Sequence, residues 1–356
     1  MNKEISKKKV TIGNILVGDG CKTFIIAEIG INHQGDVEIA KKMIDTAISC
    51  GADAVKFQKR TINKILTKEA LEKPYCGPHS FGATYGEHRK ALELSRDNYF
   101  ELKKYCDNKN IIFLASPWDE ESADFLEELN VPAYKIASAD LTNIPLLEHI
   151  AKKGKPVILA TGMADISEID YAVELLKNYT HDIILMQCTS TYPCAISDIN
   201  LNVIPVLRKR YGLLVGYSGH DDGIIAPVIA AVLGACVVEK HFTLNRTWKG
   251  GDHAASLEPY GLSKMIRDIH NIKDSLGSGE KKILDSEIPI RHKLAKSIVS
   301  TCFIGKGTVI ERNMLTTKSP GTGIPPKEIG KIVGKKALNN IDEDVVINYK
   351  DVDLNQ

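Results

Sequence analysis

The chain has 356 residues, 43% of them hydrophobic, which is enough to bury one large core beside a small second domain. Its 46 basic and 45 acidic residues leave it almost neutral, which argues against a nucleic-acid-binding or membrane surface. Residues 1–9 lack the apolar core of a signal peptide, and no later run reaches the roughly 20 apolar residues of a membrane span. Eight scattered cysteines without a Cys-x-x-Cys pair indicate mostly reduced thiols rather than a zinc site. We therefore expect a soluble cytoplasmic protein.

Between residues 20 and 276, apolar runs typical of buried strands alternate with amphipathic helical patterns. The predicted strands are 24–29, 54–58, 111–116, 133–138, 156–161, 183–189, 213–218 and 237–241. The predicted helices are 37–50, 97–108, 120–129, 144–153, 166–178, 203–211 and 224–233. This alternation favours an α/β fold, a closed (β/α)8 TIM barrel. An open doubly wound sheet is the alternative, because periodicity does not show closure.

Polar residues stand at the end of every predicted strand. In chain order they are Glu28, Lys56 with Gln58, Ser116, Lys135 with Ser138, Thr161, Thr189 with Ser190, Ser218 with His220, and Glu239 with His241. The carboxyl ends of TIM-barrel strands all face one rim, and polar side chains there serve chemistry. The pattern predicts a single shared polar site at that rim.

Two of these residues, Lys56 and Lys135, lie inside apolar runs. Burying an ammonium group is costly unless an anion meets it. With the neighbouring hydroxyl groups, two such lysines would suit the phosphate and the carboxylate of a small phosphorylated acid. A Schiff-base lysine is the alternative chemistry. A metal site in the same rim would make that route redundant.

His220 and His241 follow adjacent predicted strands, with Glu239 beside them. A single histidine at a strand end is more often a hydrogen-bonded structural residue, but two imidazoles and a carboxylate can hold a divalent cation. An open, oxygen-rich donor set favours Mn²⁺ or Mg²⁺ over tetrahedral zinc. Such an ion would activate an aldehyde oxygen as a Lewis acid. Asp252, in a glycine-containing loop, either reaches the same cavity or is a turn carboxylate.

The stretch 61–96 has weak periodicity and lies between the second and third predicted strands. Loops of this length within a compact domain are usually functional or disordered. Its aromatic residues and glycines favour an ordered lid over a solvated excursion.

Six motifs resemble the N-acetylneuraminate (sialic acid) synthase family over nearly the whole chain. They lie at 26–36 (IAEIGINHQGD), 55–58 (VKFQ), 134–138 (YKIAS), 187–193 (QCTSTYP), 216–220 (GYSGH) and 239–243 (EKHFT). The resemblance implies a transferase that condenses phosphoenolpyruvate with an N-acylated mannosamine-type sugar. The products would be a nine-carbon 2-keto acid and phosphate.

The resemblance also implies roles for individual residues. The metal would lie on His220 and His241, with Glu239 as a ligand or a neighbour, and Glu28 would lie beside the reacting carbons. The implied phosphoenolpyruvate contacts are Lys56, Ser116, Lys135, Ser138 and Ser218, with Thr161 compensating for a family hydroxyl replaced here by Ala160. The candidate sugar contacts are Gln58, Asp140, Ser190, Tyr192 and Asp252.

After residue 276 the pattern changes to a polar linker, 277–292, and then to short alternating runs with many turns. Residues 293–356 resemble the antifreeze-like (SAF, β-clip) domain of the same family, so the barrel domain is predicted to span 1–276. In the family this domain crosses to the partner subunit of a domain-swapped dimer, which implies a homodimer here.

The sugar itself is left open by the sequence. Many bacterial members carry an arginine for the N-acyl group where this chain has Ser319, and the animal-type enzymes also lack it. Both N-acetylmannosamine and its 6-phosphate therefore remain candidates, and Arg89 in the lid is the candidate sensor of that phosphate. Legionaminic or pseudaminic acid synthases are the nearest alternatives.

Two alternative functions belong to other classes of protein. A metal-dependent hydrolase on a barrel would normally use more histidines and no paired lysines. A non-catalytic sugar-binding or ice-binding protein would leave Glu28, Lys56 and Lys135 unexplained.

Overall fold

The computed structural model describes residues 8–354, which separate into one unit up to Leu276 and another from Gly277 onward. Most of the N-terminal stretch that was predicted not to be a signal peptide lies outside the described residues. None of the helices within 8–354 is both long and apolar enough to cross a membrane.

The first unit is built on a parallel barrel. A short antiparallel hairpin, β1 (Lys9–Ile12) and β2 (Ile15–Gly18), comes first. The barrel strands of the described chain follow: β3 (Phe24–Gly30), β4 (Ala54–Lys59), β5 (Ile112–Pro117), β6 (Tyr134–Ile136), β7 (Val157–Ala160), β8 (Ile183–Cys188), β9 (Leu214–Gly219) and β10 (Val237–His241). The order β5-β4-β3-β10-β9-β8-β7-β6 joins the first barrel strand to the last. Because β5 and β6 also lie side by side, the sheet forms a nearly closed ring and the predicted TIM barrel is confirmed.

Helices connect the strands on the outside of the ring. In chain order they are α1 (Val37–Cys50), α2 (Ile62–Ile65), α3 (Lys68–Glu72), α4 (Tyr85–Ala91), α5 (Arg96–Lys109), α6 (Glu120–Glu128), α7 (Ile144–Ala151), α8 (Ile166–Lys177), α9 (Val203–Tyr211), α10 (Ile225–Val232) and α11 (Pro259–Leu276). The short helices α2, α3 and α4 lie within the stretch predicted as an ordered lid. The hairpin and α11 were not predicted from the sequence.

Local sequence signals explain how such a helix is defined. The carboxylate of Asp36 accepts hydrogen bonds from the first turn of α1, at 2.7 Å from Glu38 N and 3.1 Å from Ile39 N. The helix ends at Gly51, whose φ of 92° is readily accessible to glycine. Between these caps, buried residues recur at helical spacing and face the barrel, namely Ala40, Met43, Ile44 and Ala47.

Two apolar clusters separate the inside of the ring from its outside. The outer cluster packs helices against strands, and the inner cluster fills the barrel with residues such as Ile26, Leu114 and Ile184. The hairpin residues Val10 and Ile12 belong to the inner cluster, so the hairpin packs against the residues that fill the ring.

The second unit has its own small core. It contains α12 (Ile288–Leu294), β11 (Ser297–Ser300), β12 (Leu315–Lys318) and α13 (Ile329–Ile332), and β11 pairs with β12 in antiparallel fashion. Isolated bridges such as Ile304–Ile341 and Val309–Lys336 add further pairing. The core consists mainly of isoleucines, including Ile298, Ile310 and Ile347. The beginning of α12 falls inside the segment predicted as a linker.

Candidate active site

Strand alternation directs the polar residues into the barrel mouth. In β3, Ile25 and Ala27 pack in the outer cluster and Ile26 in the inner one, so Glu28 points inward after Ile26. The same two-residue period turns Glu239 and His241 of β10 inward.

A cavity of about 250 Å³ lies where these strands end. The predicted site residues that line it are Glu28, Lys56, Gln58, Ser116, Lys135, Ser138, Ser190, Tyr192, Ser218, His220, Glu239 and His241. It is also lined by Trp118, Met163 and Cys188, which were not predicted. Trp118 directly follows β5, a position from which its role could have been suspected.

Buried charges form a network on one side of this cavity. Lys56 Nζ lies 2.8 Å from Glu28 Oε2 and 3.7 Å from Glu239 Oε1. Lys135 Nζ lies 3.6 Å from the same Glu239 oxygen. The amide of Gln58 donates to Glu28 Oε1 at 2.7 Å. Two ammonium groups and two carboxylates therefore balance each other almost out of contact with water.

The pKa directions show that this balance is uneven. Burial raises the pKa of Glu28 despite the opposing charge of Lys56. Burial alone would raise the pKa of Glu239, but Lys135 and Lys56 together hold it below its ordinary value. Burial likewise lowers the pKa of Lys135, whereas the carboxylates around Lys56 outweigh its burial and raise the pKa. Lys135 is therefore the cation whose charge a bound anion would favour most.

Hydroxyl groups complete this side. Lys56 donates to Ser116 Oγ at 3.2 Å, and Ser218 Oγ donates to Glu239 Oε1 at 3.2 Å. Ser138 Oγ accepts from Gly162 N at 3.1 Å. A Cβ atom at Gly162 would lie 2.3 Å from Ser190 Oγ and 2.7 Å from Ser138 Oγ, so only glycine leaves these hydroxyls in place.

Three predicted contacts lie elsewhere. The hydroxyl of Thr161 donates to the Met186 carbonyl at 2.9 Å, and Thr161 is not among the described residues that line the cavity. Asp140 lines a second, larger cavity that shares Trp118 and Ala139 with the first. Asp252 Oδ2 lies 3.9 Å from His241 Nδ1, and Asp252 is not among the described residues that line the cavity. Their roles in substrate binding stay predictions.

The two histidines stand together on the other side. Their ring centroids are 5.4 Å apart, and the ring of Tyr192 lies 3.9 Å from that of His220. His220 Nδ1 donates to the carbonyl of Thr189 at 2.7 Å. Burial would lower the pKa of this imidazole, but Cys188, the Thr189 carbonyl and Glu239 outweigh it and raise the pKa above its ordinary value. Burial lowers the pKa of His241 to about 4, so this imidazole is neutral at neutral pH.

The donor atoms around the two histidines determine whether the pair can hold a metal ion. Within residues 8–354, no three His, Cys, Asp or Glu side chains are grouped as a ready metal site. Two imidazoles are present, and in the described structure His241 Nδ1 and Glu239 Oε2 are buried without a hydrogen-bond partner. This donor set fits an ion that takes its remaining ligands from water and substrate.

An outward-facing pair fixes the strands that carry the histidines. Lys240, fully buried on the outer face of β10, donates to Asp221 Oδ1 at 3.1 Å and to the Asp221 carbonyl. The hydroxyl of Tyr217 donates to the same carboxylate at 2.7 Å. Asp221 follows His220 and Lys240 precedes His241, so the pair ties the two strand ends together. Sequence reasoning missed it, although a lysine out of phase with the inward positions was a visible signal.

The lid is ordered by contacts with a second loop. A capping box between Thr84 and Glu87 begins α4. The ammonium group of Lys249 lies 4.7 Å from the ring centre of Phe81, and Gly250 N donates to His79 Nδ1 at 3.4 Å. Residues 249–252 also carry Asp252, so the lid and this loop are held together at the mouth.

Comparison with known proteins follows the division into two units. Residues 43–281 match the NeuB family, and residues 296–353 match the SAF domain. The N-acetylneuraminate-9-phosphate synthase of Homo sapiens is 44% identical over 339 residues, which cover 95% of this chain and 94% of the relative. The N,N'-diacetyllegionaminic acid synthase of Legionella pneumophila is 39% identical over 345 residues, covering 94% of this chain and 96% of the relative.

A solved structure agrees with these relatives. The N-acetylneuraminic acid (sialic acid) synthetase of Leptospira borgpetersenii, in complex with citrate, superposes with a TM-score of 0.70 at 37% identity. The match covers 80% of this chain and 95% of that chain. The chain therefore belongs to the NeuB family, as its motifs predicted, and is a condensing enzyme of the sialic acid synthase type with a SAF domain at its C-terminal end.

Proposed function

We propose that this enzyme condenses phosphoenolpyruvate with an N-acylated mannosamine-type sugar to give a sialic acid and phosphate. The observation that carries the proposal is one cavity that holds two buried lysines opposite a pair of histidines. The lysines suit a doubly anionic donor, and the histidines suit an aldehyde acceptor. The names of the relatives support the same reaction.

The lysine side binds the donor in this scheme. Lys56 and Lys135 would meet the phosphate and carboxylate of phosphoenolpyruvate, with hydroxyls from Ser116, Ser138 and Ser218 completing the contacts. Anion binding would favour the charged form of Lys135, whose pKa burial lowers in the free enzyme. The donor is thereby held with its methylene carbon directed at the acceptor.

The histidine side orients the acceptor. His220 and His241, with Glu239 nearby, would hold Mn²⁺ or Mg²⁺, which when bound supplies Lewis-acid polarisation of the sugar aldehyde. The Thr189 carbonyl accepts from His220 Nδ1, so Nε2 is the nitrogen left to hold the ion. Tyr192 shields the pair with its ring.

Glu28 is placed to handle the proton of the reaction. In the scheme, C3 of phosphoenolpyruvate bonds to the sugar aldehyde carbon, positive charge develops at C2, and water adds there. The C–O bond to phosphate then breaks and leaves the 2-keto group. The carboxylate of Glu28 first stabilises the cationic carbon and then takes one proton of the attacking water. The aldehyde oxygen, which receives the carbonyl electron pair, gains that proton and becomes a hydroxyl, and the second proton of the water leaves with the phosphate. Burial raises the pKa of Glu28, which suits it to act as the base.

We also propose that the enzyme is a cytoplasmic homodimer. Buried reduced thiols at Cys106, Cys188, Cys194 and Cys236 suit a reducing compartment. The dimer follows from the SAF domain, which resembles the module that crosses between subunits in this family. A legionaminic-type acceptor is the second candidate, favoured by the identity to the Legionella synthase.

The test is release of phosphate from phosphoenolpyruvate by the purified full chain with Mn²⁺. Release is expected with N-acetylmannosamine or its 6-phosphate and not with N-acetylglucosamine, the matched epimer. It should stop when the metal is removed by a chelator and return when Mn²⁺ is added. No release with any N-acylated mannosamine-type sugar would contradict the proposal, and release only with a diacetamido sugar would favour the second candidate.

A further inference from the structure

We propose that Lys240 and Asp221 are positioning residues for the two histidines. Their buried ion pair holds the ends of β9 and β10 where His220 and His241 can bind one metal ion. This inference rests on the proposed function and deepens it, because it assigns control of metal affinity to residues on the outer face of the barrel. Neither Lys240 nor Asp221 is among the described residues that line the first cavity, so both act through the histidines.

The pair occupies an apolar layer in which a charge is not expected. Val238 and Phe242, two positions before and after Lys240, both belong to the outer apolar cluster. The side chain of Lys240 is 0% exposed and that of Asp221 is 1% exposed. Burial removes the hydration of both charges, which is costly. An apolar residue at position 240 would suit this layer better, so the lysine serves something other than packing.

The contacts of Asp221 are directional but incomplete. The ammonium group of Lys240 lies 3.1 Å from Asp221 Oδ1 and also donates to the Asp221 carbonyl. The hydroxyl of Tyr217 donates to the same Oδ1 at 2.7 Å. Asp221 Oδ2 is buried without a hydrogen-bond partner within residues 8–354. A buried ion pair with an unsatisfied oxygen adds little net stability compared with apolar residues of similar size.

The pair spans the two strands whose ends carry the histidines. Asp221 directly follows His220, and Lys240 directly precedes His241. In the sheet, Lys240 is the register partner of Gly219, the residue at which β9 ends. The bond from Lys240 to Asp221 therefore continues the connection between the strands past the end of β9, on both sides of His220.

The two histidine rings are held unequally by their own contacts. His220 Nδ1 donates to the Thr189 carbonyl at 2.7 Å, and the His220 carbonyl accepts from Cys194 N at 2.9 Å. His241 Nδ1 has no hydrogen-bond partner in the described chain. The position of the His241 ring relative to His220 therefore depends on the backbone of β10. Lys240 is the residue that fixes this backbone to the strand end beside His220.

A glycine makes room for the pair. A Cβ atom at Gly219 would lie 2.7 Å from Asp221 Oδ1 and 2.5 Å from Cε1 of Tyr217. A side chain there would displace the carboxylate or the ring that donates to it. The glycine before His220 in the motif GYSGH thus serves the ion pair beside the histidine.

A metal site needs the geometric precision that such a pair provides. Ligand distances in a metal site are defined to within about 0.2 Å. Apolar side chains can slide against each other, whereas the hydrogen bonds of Lys240 fix both a direction and a distance. Loss of a residue that orients a metal ligand typically weakens metal affinity about 10- to 100-fold.

The experiment measures Mn²⁺ binding by calorimetry in the full chain and in the neutral double variant Lys240→Met/Asp221→Asn. This variant removes both charges and leaves an acceptor for the Tyr217 hydroxyl. Its dissociation constant for Mn²⁺ should rise about 10- to 100-fold, while its midpoint of urea unfolding should stay close to or above that of the wild type. At saturating Mn²⁺, its KM for phosphoenolpyruvate should change less than about threefold, because Lys56 and Lys135 bind that substrate in the proposed scheme.

The matched control neutralises a different ion pair between distant segments, in Arg208→Met/Asp19→Asn. Arg208 donates to both carboxylate oxygens of Asp19 at 2.6 Å. Neither residue is among the described residues that line the first cavity, and neither adjoins a histidine in the sequence. Mn²⁺ binding by this control should match that of the wild type.

An unchanged Mn²⁺ dissociation constant in a neutral variant of normal stability would overturn the inference. So would an equal weakening in the control, or a rise in KM for phosphoenolpyruvate as large as the loss of Mn²⁺ affinity, since either indicates general damage. If the neutral variant fails to fold, Tyr217→Phe removes only one hydroxyl from Asp221 and should weaken Mn²⁺ binding about threefold to tenfold. Unchanged binding in that variant would then overturn the inference.

The wild-type titration separates this inference from the proposed function. If the wild type binds no Mn²⁺, the metal assignment of the proposed function fails and the inference fails with it. If the wild type binds Mn²⁺ and the neutral variant binds it equally, only the inference fails.

Discussion

The two sides of the barrel mouth solve the problem of burying polar groups in different ways. The lysine half, formed by Glu28, Lys56, Lys135 and Glu239, balances its charges internally. The histidine half, formed by Tyr192, His220 and His241, packs three rings together and leaves His241 Nδ1 without a hydrogen-bond partner within the described chain. One half is thus electrostatically organised without a ligand, whereas the other has an unpaired buried donor atom that a ligand would use.

This difference between the two halves explains how a single cavity can suit two dissimilar reactants. An anionic donor can compete for ammonium groups that are already oriented, which limits reorganisation. An aldehyde needs an electrophilic partner, and a divalent cation held by His220 and His241 would supply one. Substitutions in the two halves should therefore fail in different ways.

The largest effect is expected in the lysine half. Lys56→Met leaves Glu28 and Glu239 short of an opposing charge, so kcat/KM for phosphoenolpyruvate should fall roughly 100- to 1,000-fold and stability by about 3–5 kcal/mol. Steady-state kinetics measure the change in kcat/KM, and urea unfolding measures the change in stability. Lys59→Met is the matched control, because Lys59 pairs with Glu93 at 2.7 Å and lies outside the first cavity. Near-normal kinetics in Lys56→Met would contradict the role of the lysine half in binding phosphoenolpyruvate.

Substitutions in the histidine half are expected to cause a smaller loss of activity and no unfolding. His241→Ala should lower metal-dependent turnover roughly 100-fold, because it removes one of two imidazoles, while the neutral ring contributes little charge to the fold. Mn²⁺ binding by calorimetry should weaken in parallel, and circular dichroism should stay unchanged. The same result is expected for His220→Ala. Full activity in either variant would refute the metal assignment.

Asp140 lies beyond both halves and should show a dependence on pH. Its pKa is raised from 3.8 to about 6, so between these values the folded state holds a proton that the unfolded state releases. Ionisation therefore weakens the fold as pH rises through this window. Asp140→Asn should raise stability by about 1–3 kcal/mol at pH 8 and by little at pH 4. Urea unfolding at both values checks this, and an equal change at both would contradict the burial argument.

The smallest effect is expected at Thr161. Its hydroxyl bonds the Met186 carbonyl, so Thr161→Val should reduce stability by about 1 kcal/mol and change kcat/KM for phosphoenolpyruvate less than about threefold. Ser116→Ala, which removes a hydroxyl that contacts Lys56, is the comparison. A tenfold rise in KM for phosphoenolpyruvate in Thr161→Val would instead place this hydroxyl among the donor contacts.

Sequence patterns predicted the barrel because buried strands and amphipathic helices each have a characteristic spacing of apolar residues. The predicted helices 37–50 and 203–211 match α1 and α9, and the inward direction of Glu28 and Lys56 follows from the same period. The partners of Thr161 and Asp140 were not predictable, because they depend on side-chain directions beyond the strand ends. Lys240 stands out of phase with the inward residues in the sequence, but only the fold shows that Asp221 is its partner.

The pairing of β3 with β10 has a consequence for how the enzyme folds. Glu28 and His241 are register partners in that pair, although they come from the first and last strands of the barrel sequence. Pairing of such distant segments is intrinsically slow, because the entropy of closing a long loop is lost before any stabilising contact forms. The two halves of the mouth therefore face each other only after the final strand has docked. Recovery of activity during refolding should report closure of the ring and lag behind the formation of helices.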